Sequence, residues 1–166
     1  MELVNKVAES GIITLDLEQF FPSEEIVELD IKIFLFRELI LKEKEFRTAI
    51  KEFDWTKYSG KTVALFCSTD AIIPQWAFML IATQLNAITP NIYFGTKDEV
   101  MYRLFLKNIQ NINTENYKDE RVIIKGCGTK TLKSDAYIEI TKKLLPVVKS
   151  LMFGEACSTV PVYKKK

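Results

Sequence analysis

The sequence contains no histidine. That absence removes the Ser-His-Asp triad, the Cys-His dyad and every imidazole metal site. Any general base must then be a carboxylate, a lysine, a tyrosine or a thiolate, and any soft metal site must be built chiefly from cysteine. Cysteine is itself scarce, with three in 166 residues. An odd number of widely spaced thiols argues against a disulfide framework and for a reducing cytoplasm. An excess of charge is missing too: 23 Lys and Arg stand against 22 Asp and Glu, so no field draws nucleic acid or an anionic membrane. The N-terminal "MELVNKVAESG" has no cationic stretch leading into an apolar one, so a signal peptide is not expected. The terminal Lys164, Lys165 and Lys166 read as a solvated tail.

What is present suits a folded enzyme-sized or binding-sized domain. With 48% hydrophobic residues the chain can bury a core, and a single domain over residues 1–166 is expected. From Ala71 to Thr96 there is no charged residue, which is long enough to cross a bilayer. Pro74, Gln75, Gln84, Asn86, Pro90 and Asn91 interrupt that segment. A buried helix followed by a buried strand gives the same pattern, so no membrane span is expected.

Along the chain, "GIITLDLEQF" and "EEIVELDI" read as short extended pieces around Phe21-Pro22-Ser23. In "FLFRELILKEKEFRTAIKEF", Leu35, Leu39, Phe46, Ala49, Ile50 and Phe53 recur at helical spacing and predict one long amphipathic helix. After that, short β-rich runs alternate with helical ones: "TVALFC", "PQWAFMLIATQLNAI", "NIYFG", "KDEVMYRLFLKNIQNI", "ERVIIKG" and "SDAYIEITKKLLPVVKSLMF". The last places Tyr137, Ile140, Leu144, Val148 and Leu151 on one face, with Pro146 kinking or ending the helix. Such alternation predicts an α/β fold: a single three-layer domain with a mainly parallel sheet flanked by helices. "TVALFC", "NIYFG" and "ERVIIKG" would share that sheet, with the N-terminal pieces as edge strands. No internal repeat is evident.

In parallel sheets, ligands sit beyond the carboxyl ends of the strands. Cys67 and Cys127 fall just past two such ends. The tetrapeptide Ser59-Gly60-Lys61-Thr62 imitates the end of a phosphate-binding loop, but it lacks the earlier glycine and precedes a strand, so it reads as a turn. Each cysteine, in "CSTD", "KGCGTK" and "GEACSTVP", is flanked by glycine, hydroxyl or charged residues, unlike a thiol used as core packing. Cys67 would feel the N-terminus of the following helix, which lowers a thiol pKa. The expectation is that Cys67, Cys127 and Cys157 converge on Zn(II) or an iron-sulfur cluster, with Asp70, water or a partner's residue as the fourth ligand. Asp70 also suits a helix cap. Three alternatives stay open: unrelated core or loop thiols; a nucleophile or sulfur carrier at Cys67 with Asp70 or Lys125 handling protons; and a protein-interaction domain, for which a homodimer fits the plentiful apolar residues.

"VNKVAESG", "LILKEKEFR", "DW" with "YSGK", "CSTDAIIPQWAFML", "KGC" and "KSLMFGEACSTVPVYK" together resemble an uncharacterised bacterial family, domain-of-unknown-function family 2480, over nearly the whole chain. The most distinctive matching positions are Cys67, Asp70, Pro74 and Trp76; then Lys125, Gly126 and Cys127; then Gly154, Glu155, Cys157, Ser158, Thr159 and Pro161. Ala156 stands where the family usually has proline, a departure that touches loop stiffness. The resemblance implies no activity. It implies an association with SUF-type iron-sulfur assembly proteins as partners, which favours a thiolate site in an accessory protein over three idle cysteines. Lys125 and Glu155, beside two of the cysteines, read equally as a local ion pair or a catalytic couple.

Overall fold

The computed structural model describes residues 11–126 and 128–166. In chain order it has β1 (Ile12–Leu15), β2 (Ile26–Asp30), α1 (Glu43–Glu52), β3 (Thr62–Phe66), α2 (Gln75–Asn86), β4 (Ile92–Phe94), α3 (Lys97–Gln110), β5 (Arg121–Lys125), α4 (Ser134–Leu144), β6 (Ser150–Glu155) and β7 (Ser158–Lys164). Short 3-10 turns lie at Leu17–Phe20, Ile31–Phe34, Thr56–Tyr58 and Thr114–Tyr117. Contacts group the chain into two compact units. An inserted unit, Ser23–Arg103, interrupts a split unit made of Met1–Pro22 and Leu104–Lys166.

The inserted unit holds a sheet of order β2-β3-β4, parallel throughout. The split unit holds β1-β5-β6-β7, parallel except where β7 returns beside β6. The protein is therefore α/β with mainly parallel sheets, as the alternation of runs predicts, and both N-terminal extended pieces form edge strands. One expectation is corrected: "ERVIIKG" does not share a sheet with "TVALFC" and "NIYFG". It pairs with β1, a strand about a hundred residues earlier, and alternation along a chain carries no information about which strand becomes a neighbour.

Two helix readings are also corrected. The long helix from Phe34 to Phe53 begins only at Glu43. Arg37 and Glu38 adopt φ of 50° and 60°, and Phe36 and Ile40 exchange backbone hydrogen bonds of 2.8 and 3.0 Å. This closes a tight antiparallel turn that no helix can pass through. The last helix stops at Leu144, just before Leu145-Pro146, and "SLMFGE" is strand β6. Leu144, Val148 and Leu151 are all buried, but on three different local structures. The charge-free segment from Ala71 to Thr96 becomes a loop, α2 and β4. Among the described residues no helix is long and apolar enough to cross a membrane.

The two units repeat one another, which corrects the reading of no internal repeat. Each runs strand, 3-10 turn, helix, 3-10 turn, strand, helix, strand. From Phe46–Gly95 to Phe105–Gly154 the match has no gap and a constant shift of 59 positions, as the ladder pairs Val63/Ile92 and Val122/Leu151 show. Phe46/Phe105, Ile50/Ile109, Ala77/Ala136, Ile81/Ile140 and Leu85/Leu144 are each 2% exposed or less. Backbone exceptions repeat too: Gly60 and Asp119 have φ of 69° and 57°, and Gly95 and Gly154 have 130° and 125°. Even a ring contact recurs, edge-to-face at 5.5 Å for Phe78 and Phe94 and at 5.7 Å for Tyr137 and Phe153. The first strands match as well, Leu15-Asp16-Leu17 against Leu29-Asp30-Ile31, and the 3-10 turn that follows ends the first piece of the split unit. One copy of the motif is thus inserted into the other, and β7 exists only in the split unit.

Candidate functional site

In the split unit the carboxyl ends of β1, β5 and β6 lie side by side. Leu15 pairs with Ile124 and Lys125 pairs with Gly154, so Asp16, Lys125 and Glu155 leave three adjacent parallel strands at one edge of the sheet. Asp16 caps the turn Leu17–Phe20, its Oδ1 accepting the Glu18 N–H at 2.9 Å, while its Oδ2 meets Lys125 Nζ at 2.9 Å. The lysine bond, then the Glu18 N–H, hold the Asp16 carboxyl below the usual carboxylate range. The same contact raises Lys125 above an ordinary lysine.

The loop after β5 wraps the Glu18 carboxylate. Lys130 N–H donates to Oε1 at 2.6 Å and Thr129 Oγ1 donates to Oε2 at 2.8 Å, and these bonds hold Glu18 low. Gly128 passes so close to Glu18 Oε1 that a Cβ there would collide with it, and a Cβ on Gly126 would lie 2.9 Å from the Phe153 ring. Glycine at both positions is what lets the loop close on the carboxylate. Asp16, Glu18, Lys125, Gly126, Gly128 and Tyr137 line an enclosed cavity of about 20 Å³, room for about one water.

Of the predicted site residues, Glu155, Cys157, Ser158 and Thr159 lie together on the β6–β7 hairpin, with Glu155 opposite Ser158 and Gly154 opposite Thr159. Cys157 sits exposed in the two-residue turn. Glu155 Oε1 is shut off from solvent and has no hydrogen-bond partner among the described residues. The direct ion pair of Lys125 is with Asp16; Glu155 reaches it only as a weaker charge that also favours the ammonium. Cys127 lies outside the described residues, two positions past β5 in the chain.

Cys67 and Asp70 belong to the inserted unit. Cys67 directly follows β3, and its Sγ lies 3.6 Å from Thr69 O and 3.4 Å from Thr69 Oγ1. The expected helix N-terminus is not beside it in the chain: α2 starts at Gln75, because Pro74 sets the extended cap and the intervening "STDAII" is loop. Asp70 is exposed and caps no helix. Its neighbour Ser68 instead donates both N–H (3.1 Å) and Oγ–H (2.5 Å) to Asp30. Burial pushes the Asp30 carboxyl up, yet bonds from Ser68 and the Lys32 N–H outweigh it and the group stays low. Among the described residues no three Cys, Asp or Glu side chains are grouped to hold one metal ion.

Sequence reasoning missed Asp16, Glu18 and Asp30. The signal was there, since "LDLEQF" and "LDIKIF" repeat a Leu-Asp followed by an apolar residue and a phenylalanine. The repeat then acts as an internal control. At the same 59-position shift, Lys125 corresponds to Phe66, Glu155 to Thr96, Gly126 to Cys67 and Cys127 to Ser68. The frame is shared, and the charged residues and the loop glycines are peculiar to the split unit.

Neither the curated proteins nor the solved structures contain a match to this chain. A family model described as "Protein of unknown function (DUF2480)" matches residues 1–165. The chain belongs to that family.

Proposed function

We propose that this family member binds a soft metal ion or an iron-sulfur cluster at the strand ends of its split unit, through Cys127 and Cys157 with Glu155 as a carboxylate donor. The observation that carries the reading is the ladder Lys125–Gly154: the segments "KGC" and "GEAC" run off neighbouring parallel strands, and the carboxylate oxygen next to them is buried without a donor. A bare buried oxygen of this kind costs free energy unless it is protonated or meets a cation. Thiolates select Zn(II), Cu(I) and iron-sulfur clusters, and a site short of four protein ligands keeps a position open for transfer. A role as an accessory to iron-sulfur assembly, with its proteins as partners, is part of this proposal.

Protein purified without oxygen is the material for the test, with metal analysis and an absorption spectrum as the readout. Cys127→Ser and Cys157→Ser should each lower occupancy, whereas Cys67→Ser and Ser59→Ala should not, since the Cys67 thiol is engaged with Thr69. Full occupancy in both Cys127→Ser and Cys157→Ser would sink the reading. The exposure of Cys157 favours one second reading, a sulfur carrier. Its thiolate would attack the terminal sulfur of a donor persulfide and release the donor thiolate. A gain of one sulfur in intact mass, lost in Cys157→Ser, separates that chemistry from metal binding.

A further inference from the structure

We propose that the split unit carries a second binding site, unrelated to the thiols, for a single-chain hydrocarbon with one anionic end, such as a fatty acid carboxylate. A cavity of about 430 Å³ lies between α4 and the strands β5, β6 and β7, within the roughly 300–1,000 Å³ range of small-molecule pockets. Its walls are apolar: Ile124, Ile138, Leu151, Met152, Phe153 and Val162. Several of them are left open to water, with Ile138 at 59%, Val162 at 54% and Phe153 at 38% exposure. A hydrocarbon occupant removes that apolar surface from water.

The repeat shows what is special about this cavity. The matching groove of the inserted unit is lined by Met79, Ala82, Thr83, Asn86 and Ile92. At the common shift Met79 stands for Ile138, Ala82 for Thr141 and Ile92 for Leu151. No strand equivalent to β7 follows β4 in that sheet, so the groove lacks the wall that Val162 supplies. The fourth strand turns a surface groove into a pocket.

Polar groups are few and lie toward one end. Thr141 Oγ1 already donates to Tyr137 O at 2.7 Å, which leaves Ser134. Ser134 opens α4, an 11-residue helix whose cap residue Lys133 makes no side-chain capping bond. Asp135 takes the Ala136 N–H, while Lys130 and Lys133 outnumber it in the adjoining segment. An anionic head at Ser134 is therefore matched in charge, with the chain lying along the apolar wall.

The full-length protein is titrated with decanoate, dodecanoate, tetradecanoate and dodecanol by displacement of 8-anilinonaphthalene-1-sulfonate. Affinity should rise about fourfold per added methylene, the transfer value for buried CH₂. Ile138→Glu and Val162→Glu, both at exposed positions, should weaken dodecanoate by about tenfold or more, and dodecanol should bind about tenfold more weakly than dodecanoate. Met79→Glu, the same change in the other copy, should leave binding unaltered. Absence of dodecanoate binding, or equal loss in Met79→Glu and Ile138→Glu, overturns the site; equal affinity for dodecanol overturns the anionic end.

Discussion

Gly95 and Gly154 hold nearly the same backbone conformation at the ends of β4 and β6, with φ of 130° and 125°. Only glycine adopts that region without strain, which costs other residues about 1–3 kcal/mol. The two sites differ in what a Cβ would meet. At Gly154 it would run into the carbonyl oxygen of Ser158 on the facing strand, whereas at Gly95 it would meet the Glu99 carboxylate at 3.0 Å, the far end of a side chain that can move. Gly95→Ala is therefore expected to cost about 1–3 kcal/mol, within the strain range. Gly154→Ala should cost at least about 1 kcal/mol more, because backbone must shift as well. Urea unfolding of the two variants against the parent measures the difference, and equal losses would show that the facing strand yields freely. The same residue scale explains why Asp16 and Asp30 went unnoticed in the sequence: an Asp after a strand is a common cap, and its second bond, to Lys125 in one unit and Ser68 in the other, comes from far along the chain.

At the scale of elements, α1 and α3 each deliver one phenylalanine, Phe46 and Phe105, into a core where it is fully buried. Phe46 meets Phe34 edge-on at 6.0 Å, and Phe105 stacks on Phe21 at 4.1 Å. Truncating either to alanine should cost about 3–5 kcal/mol, a large part of the roughly 5–15 kcal/mol typical of a folded domain. Hydrogen exchange followed by mass spectrometry gives the location: Phe46→Ala should speed exchange first within Ser23–Arg103, and Phe105→Ala first in the split unit. Uniform acceleration in both variants would mean that the two copies open as one. Most elements were legible from local period and β-rich runs. The exceptions, the turn at Phe36–Ile40 and the strand Ser150–Glu155, carry apolar residues at spacings that satisfy a helix equally well. In the first the chain is closed by αL residues, and in the second Pro146 with the pairing to β5 takes over.

Over the whole molecule, depressed carboxylates tie stability to pH. Asp16, Glu18 and Asp30 all titrate below their ordinary values when folded. The unfolded chain takes up those protons near pH 3.9–4.3 and the folded chain only lower, so the contribution is complete above that range and is lost as pH falls through the folded values. Stability should thus drop between about pH 4 and pH 2. An Asp16→Asn, Asp30→Asn double variant should be weaker at pH 7 yet show a shallower acid loss in urea titrations; an unchanged acid slope would remove these two groups from the account. The sequence by itself determined the α/β class, the position of nearly every strand and helix, and the placing of "KGC" and "GEAC" after strand ends, because periodicity and turn chemistry act over a few residues. Tertiary structure alone decided that there are two sheets rather than one, that one copy of a motif interrupts the other, and that Asp16, Lys125 and Glu155 share an edge. Those facts rest on which distant strands pair. Pairing depends on buried faces meeting in space, and the 59-position repeat that expresses it keeps burial and backbone geometry while few residue identities survive.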